Sequence, residues 1–459
     1  MGFREEVDSM GTVKVPEDAY YGAQTQRAIE NFPISGLTFQ PVFIKAVALI
    51  KKHAAQINQE CGLLPLDVSM AIVQAAQEVM DGTFDDQFAV DVFQTGSGTS
   101  TNMNVNEVIA GRANEIITGN IGGKSPVHPN DHVNLGQSSN DVIPSAIHIS
   151  AFISIKNRLL PALQNLHESL KNKADEFKDI VKIGRTHLQD AVPVTLGQEF
   201  GGYARQVELA IERLHSIEPR LAELALGGTA VGTGMNTHPE FARRVIACIA
   251  QETGCPFVEA KNHFEAQAAQ DAAVETSAVL KTVAVSLTKI ANDIRWLASG
   301  PRCGIGEIVL PDLQPGSSIM PGKVNPVMPE VILQVAAQVI GNDAAISIGG
   351  QAGNFELNTM LPLIAYNLLQ SIEMLASAVN VFTEKCVDGI IANKEKCAAT
   401  VDKSIALVTT LVPLIGYDKA AALAKEAWET GTTVREIALK RNILAEEELN
   451  KLFEKVHEH

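Results

Sequence analysis

LGQEFGGYARQVELAIERLHSIEPRLAEL, residues 196–224, places its apolar side chains at Leu196, Phe200, Tyr203, Val207, Ile211, Leu214, Ile217, Leu221 and Leu224. The steps are three and four throughout, which lays one apolar stripe along one face of an α-helix. The same spacing recurs at Ile147, Ala151, Ile155, Leu159, Leu163, Leu166 and Leu170, and again at Val279, Val283, Leu287, Ile290, Ile294 and Leu297. Each run is well above the average globular helix of about 11–12 residues. Two more long helical patterns cover roughly 326–347 and 357–393. Five long helices with stripes that bury one another make a bundle. The fold class read from this pattern is all-α, mainly helical, with a central five-helix bundle.

Composition agrees. Aromatic residues are only 5% of the 459, and Ala, Leu, Ile and Val supply the apolar mass. A β-sandwich would use more Tyr, Phe and Trp. At about 150 residues per domain the length predicts about three domains. The change of character along the chain sets them at 1–137, mixed and mostly of shorter helical patterns, 138–393, the long-helix bundle, and 394–459, a small helical domain built on GYDKAAALAKEA and TTVREIALKRNIL. The connections at 184–194, 227–239 and 299–325 are rich in Gly, Pro and Thr. The last is long for a structureless connection and points to a functional segment. The helix at 272–297 is apolar on more than one side, so the bundle is expected to pack against other copies.

The formal net charge of -16 with no basic run argues against nucleic acid as a partner. Cys61, Cys248, Cys255, Cys303, Cys386 and Cys397 form no CxxC pair and no cluster with His, so they read as scattered thiols in a reducing compartment rather than metal ligands. No run approaches 18 consecutive apolar residues, and MGFREEVDSMG has neither a signal-peptide core nor, with Glu6 in place of Ser or Thr, a myristoylation motif. The expectation is a cytoplasmic protein that does not span a membrane. GNIGGKS fails as a P-loop because Thr118 stands where Gly is needed, LGGTAVGTG never satisfies GxGxxG, and HExxH is absent.

Four polar segments remain. QTGSGTSTNMNVNEV, 94–108, gathers Ser97 and Thr99 with two glycines just before a helical pattern. Such N–H groups at a helix start favour a carboxylate, and an ordinary capping loop is the other reading. VHPNDHVNLGQSSNDVIP, 127–144, holds His128, Asn130 and Asp131 in one polar knot and Ser138, Ser139 and Asn140 where a long helix begins; capping accounts for one serine but not for so many donors. KIGRTHLQDAVPVTLGQEF, 182–200, puts Thr186 and His187 in a turn between two long helices, and His187 can exchange a proton near neutral pH. In PGSSIMPGKVNPVMPE, 315–330, Asn325-Pro326 fits an N-cap with Pro at the first helical position. Lys323 then opposes the helix dipole, and a bound anion explains it.

GSSIMPGKVNP resembles the signature of the fumarase/aspartase superfamily, and the likeness continues through DSMG, GAQTQR, the four segments above, RCGIGEI, GNFELN and IGYDKAA. Within it the chain is similar to class II fumarases, the iron-free type. The resemblance implies a three-domain helical protomer, a homotetramer with each active site built from three chains, no metal and no cofactor. It implies fumarate hydratase activity: reversible anti addition of water to fumarate giving L-malate through an aci-carboxylate, a step of the tricarboxylic acid cycle. Carried over position by position, Ser317 removes the proton beside a carboxylate and His187 exchanges a proton with water, commonly through a bound water. Glu330 pairs with and orients His187, and Lys323 and Asn325 bind the carboxylate and stabilise the intermediate. Ser97, Thr99, Ser138, Ser139, Asn140, Thr186 and Ser318 supply further substrate contacts, and His128, Asn130 and Asp131 match a secondary anion site. Ser125 departs from relatives with a basic residue there, which implies a weaker secondary site.

Two other readings remain. Aspartate ammonia-lyases share the fold, and VNPVMPEV at 324–331 looks more like them. His187 points to water instead of ammonia, because aspartases carry Gln there, and HPND, SSN and NTHPE also read as fumarase. A bundle kept as a structural protein, as in lens crystallins related to this fold, could lose Ser317, Lys323, Asn325 and His187; all four are present.

Overall fold

The computed structural model describes residues 2–454, apart from the side chains of Asn450, Phe453 and Glu454. The chain divides into two compact units, one of Met1–Pro161, Glu212–Ala284 and Ala337–Ala376, the other of Ala162–Ile211, Val285–Ala336 and Ser377–His459. The dividing points fall within or at the first turn of long helices.

Helices dominate. The patterned runs become Ser139–Ser154 continued by Leu160–Glu176, then Leu196–Leu221, Asp271–Leu297, Val327–Gly350 and Leu361–Lys385. In the 196–224 stripe every apolar residue except Ile211 is buried. Each such side chain removed from water contributes roughly 1.5–3 kcal/mol, which is what commits the pattern to one helix face. The first of these runs is interrupted by a π-helical turn at Ile155–Leu159, which periodicity alone does not show.

In the first unit an antiparallel hairpin pairs Phe3–Asp8 with Gly11–Pro16. The helices Ala23–Asn31, Pro41–Glu60, Leu66–Met80 and Thr99–Thr118 follow. Two of them are 20 residues long, so this part is not limited to short helices as its patterning suggests. Thr99–Thr118 hides its period because it buries Asn102, Asn104, Asn106, Asn114 and Glu107. Glu107 shows why. The N–H groups of Gly22, Gln24 and Thr25 and the Thr25 hydroxyl donate to its carboxylate at 2.6–3.0 Å. They are orphan donors at the start of Ala23–Asn31, satisfied by a neighbouring helix.

In the second unit the turn expected within 184–194 is the tip of a hairpin. Val181–Thr186 and Gln189–Thr195 form an antiparallel hairpin with a register shift between Ile183 and Arg185. Ile308–Val309 pairs with Ile391–Ala392, the only strand within the long 299–325 connection among the described residues. The C-terminal helices Tyr417–Thr430, Val434–Lys440 and Glu446–Glu454 close over Leu411, Leu423, Val434, Ile437 and Leu449.

One long helix stands out for its apolar composition. By length and composition Val327–Gly350 would suffice to cross a membrane, with mean hydropathy 1.5, although its apolar stretch contains scattered polar residues. Only 33% of that window is buried within the chain. Its Asp343 is held by Ser277 at 2.9 Å and Lys281 at 2.6 Å.

Candidate active site

The loop at 315–326 is drawn tight by its own backbone. Gly316 N–H donates to Lys323 O at 2.7 Å, and the Asn325 side-chain amide donates to Gly316 O at 2.7 Å. A Cβ on Gly316 would lie 2.7 Å from Lys323 O, so only glycine closes this loop. Ser317 Oγ, next along, accepts the N–H groups of Ile319 at 3.3 Å and Met320 at 3.0 Å. Those donors occupy the oxygen and leave its proton free to move, and they would stabilise an alkoxide more strongly than a hydroxyl. Ser318 and Lys323 are exposed, and among the described residues Lys323 Nζ has neither a hydrogen bond nor an ion pair. The Asn325 side chain does not cap the following helix, contrary to the sequence reading. That helix begins at Val327, one residue later than expected, and the Asn325 amide is spent on Gly316. Lys323, Asn325 and Glu330 line one open cleft with Asn292, Arg295 and Ser299. The Glu330 carboxylate also has no partner among the described residues.

Thr186 and His187 lie at the tip of the hairpin in the same unit. Thr186 pairs with Gln189, leaving His187 and Leu188 as a two-residue loop with φ of 57° and 59°. Such a loop favours Asn-Gly, and a bulky residue in left-handed conformation costs about 1–2 kcal/mol. His187 is exposed and makes no hydrogen bond among the described residues, and it is not paired with Glu330 within the chain. The base of the hairpin is rigid. The fully buried Glu307 receives Arg185 through two contacts of 2.7 and 3.0 Å, and the fully buried Lys182 lies 3.1 Å from it and 2.7 Å from Glu199. Lys182, Arg185 and Glu307 sit inside the quoted motifs but went unread, because spacing does not show which charges meet.

The remaining predicted residues belong to the first unit. Gly98, at φ 74°, precedes Thr99–Thr118, and the Ser97 and Thr99 hydroxyls are 2.8 Å apart. Ser138 caps Ser139–Ser154 in a capping box: Asn140 N–H donates to its hydroxyl at 3.2 Å and Ser138 N–H donates to Asp141 at 2.9 Å. Ser139 Oγ accepts from the Asn102 amide at 3.1 Å, which ties this segment to the helix that Thr99 starts. Asn140 Nδ2 donates to Ala230 O at 2.8 Å and keeps a second N–H.

Beneath them sits Lys51, absent from the sequence reading. It is fully buried, and its ammonium donates to Asn134 and Gln137, each at 2.9 Å. Burial pushes its pKa down to about 7. Burial likewise pushes the Asp141 carboxyl up to about 6. A lysine within the apolar run of Pro41–Glu60 carries no sequence signal beyond its interruption of that run.

His128, Asn130 and Asp131 form a turn start. His128 Nδ1 accepts the N–H groups of Asn130 and Asp131, each at 3.1 Å, and burial lowers the pKa of the ring. Asp131 is exposed and Ser125 brings no cation. Among the described residues no cluster of His, Cys, Asp and Glu has the arrangement of a metal site.

Comparison with known proteins identifies the family. Residues 11–341 match the lyase family and residues 407–455 match the fumarase C C-terminus. A fumarate hydratase class II of Nitrosomonas europaea is 56% identical over 98% of this chain and 97% of its own length. The mitochondrial fumarate hydratase of Rattus norvegicus is 54% identical over 98% of this chain and 89% of its own. Among solved structures, a class II fumarase from Schistosoma mansoni superposes with TM-score 0.96 at 42% identity, covering 98% of both chains. A fumarate lyase:delta crystallin from Brucella melitensis gives 0.94 at 45% identity over 99% of both. With sequence and fold alike matched from end to end, the chain belongs to the class II fumarate hydratases of the lyase family.

Proposed function

We propose that the chain catalyses the reversible anti addition of water to fumarate, giving L-malate through an aci-carboxylate intermediate. The observation that carries the reading is Ser317, whose oxygen accepts two backbone N–H groups on a loop that also presents an unpaired Lys323. A proton beside a carboxylate is very weakly acidic, so its removal demands a site that stabilises the doubly charged carboxylate as it forms. Ser317 removes that proton as an alkoxide, which the Ile319 and Met320 N–H groups and the Lys323 charge stabilise. Lys323 and Asn325 hold the carboxylate on which charge builds. His187 exchanges a proton with the attacking or departing water, and Glu330 orients it. Ser97, Thr99, Ser138, Ser139, Asn140, Thr186 and Ser318 fix the rest of the dicarboxylate.

His187 and Glu330 pair between chains in this reading, and the site is shared by three chains of a homotetramer. Support comes from Val327–Gly350, an apolar helix whose surface is mostly uncovered within one chain. A three-domain division at 137 and 393 belongs to the same reading, as does a weak secondary anion site at His128, Asn130 and Asp131. A cytoplasmic setting is supported by six free cysteines.

The test follows ultraviolet absorbance with L-malate and, separately, L-aspartate, each with and without a chelator. Fumarate formed from malate alone, chelator or not, is the expected result. Ammonia released from aspartate would overturn the reading. Light scattering tests the assembly, and a monomeric mass would refute it.

A further inference from the structure

The segment LGGTAVGTG, which matches no nucleotide-binding motif, is clamped onto the candidate substrate-binding segment. The link is Asp141, fully buried one residue after Asn140. One of its oxygens accepts Ser138 N–H at 2.9 Å; the other accepts Gly227 N–H and Thr229 N–H, each at 3.0 Å. Thr229 is itself a conformational outlier, a β-branched residue at φ 54° and only 5% exposed. Its carbonyl is held from the far side by the buried Gln267, whose amide donates at 2.7 Å. The next residue, Ala230, offers its carbonyl to Asn140 Nδ2 at 2.8 Å. The amide has two hydrogens on that nitrogen, so anchoring one fixes the direction of the other.

We propose that Asp141 is a positioning residue: it latches the 227–232 loop to the Ser138–Asn140 segment, so that the Ala230 carbonyl aims the free N–H of Asn140 at a substrate carboxylate. Capping alone needs only the Ser138 contact. The second oxygen, spent on a strained loop 86 and 88 residues away in sequence, is what capping does not explain. Strained backbone held by a buried polar group is characteristic of sites where geometry is set for a ligand.

This rests on the assignment of Asn140 to the substrate, and the test separates the two. Asn140→Ala, Asp141→Asn and the double variant are assayed for fumarate hydration. Asp141→Asn is expected to lower kcat/KM on the order of 10²-fold, the cost of a misplaced binding group. The double variant is expected to be no worse than about threefold below the poorer single one, because both act through one hydrogen bond. Additive losses would overturn the proposal, since a purely structural Asp141 acts independently of Asn140. If Asn140→Ala itself has normal kinetics, the site assignment fails, and this proposal with it. A second measurement needs no variant. Hydrogen exchange of the native protein with saturating succinate, a non-reacting dicarboxylate, is expected to slow at both 138–140 and 227–232. Slowing at 138–140 alone would overturn the latch.

Discussion

The loop at 315–326 and the segment at 138–141 are both rich in hydroxyl and amide groups, yet they are built in opposite ways. The first is exposed, tied only to itself, and leaves Lys323 unpaired. The second is locked by the buried Asp141 carboxylate, and the buried Lys51 ammonium holds Asn134 and Gln137 just before it. In the proposed reading the difference separates two duties. A group that meets developing charge, as Lys323 does there, is kept uncompensated, so that the substrate completes it. Groups that only hold the substrate can be satisfied in advance, which preorganises them.

This contrast can be broken by mutation. The largest effect is expected at Ser317→Ala, where turnover should fall on the order of 10³–10⁴-fold, the upper range for a proton-transfer group, with the thermal midpoint unchanged. Near-normal turnover would remove Ser317 from its role. Lys323→Met should lower kcat about 10²–10³-fold and move stability by no more than about 0.5 kcal/mol, since its ammonium is unpaired and exposed. A substantial loss of stability would show that the loop is held by its charge after all.

The buried side of the comparison predicts the reverse, a signature in stability. Lys51 titrates at about 7 when folded against 10.5 for a free lysine. Between those values the folded chain binds fewer protons than the unfolded one, so stability rises with pH across that window. The slope approaches about 1.4 kcal/mol per pH unit and flattens below pH 7. Thermal unfolding across this range should show that rise in the native protein and lose it in Lys51→Met. Identical pH profiles would mean that the ammonium is not desolvated. The smallest effect concerns the hairpin tip. Leu188→Gly relieves a left-handed bulky residue and should raise stability by up to about 1 kcal/mol. A fall in the thermal midpoint would show that contacts along the groove Leu188 shares with Ile405 and Val408 outweigh the strain.

The sequence by itself determined the long helices, because a stripe such as Leu196 to Leu224 can bury its apolar area on only one face of one periodic structure. It also marked 315–326, where Ser317, Ser318, Lys323 and Asn325 fall within a dozen residues. It placed the turn at Thr186 and His187 but missed the strands on either side, since a short hairpin in a helical protein has too few residues for alternation to show. It passed over Glu107, Lys182, Glu307, Lys51 and Asp141, and could not assign Asn325 to Gly316 rather than to the helix it precedes. These are decided by tertiary structure for one physical reason. A buried charge or orphan N–H is stable only beside a specific partner, and those partners come from elements far apart in the chain, whose meeting no local pattern encodes.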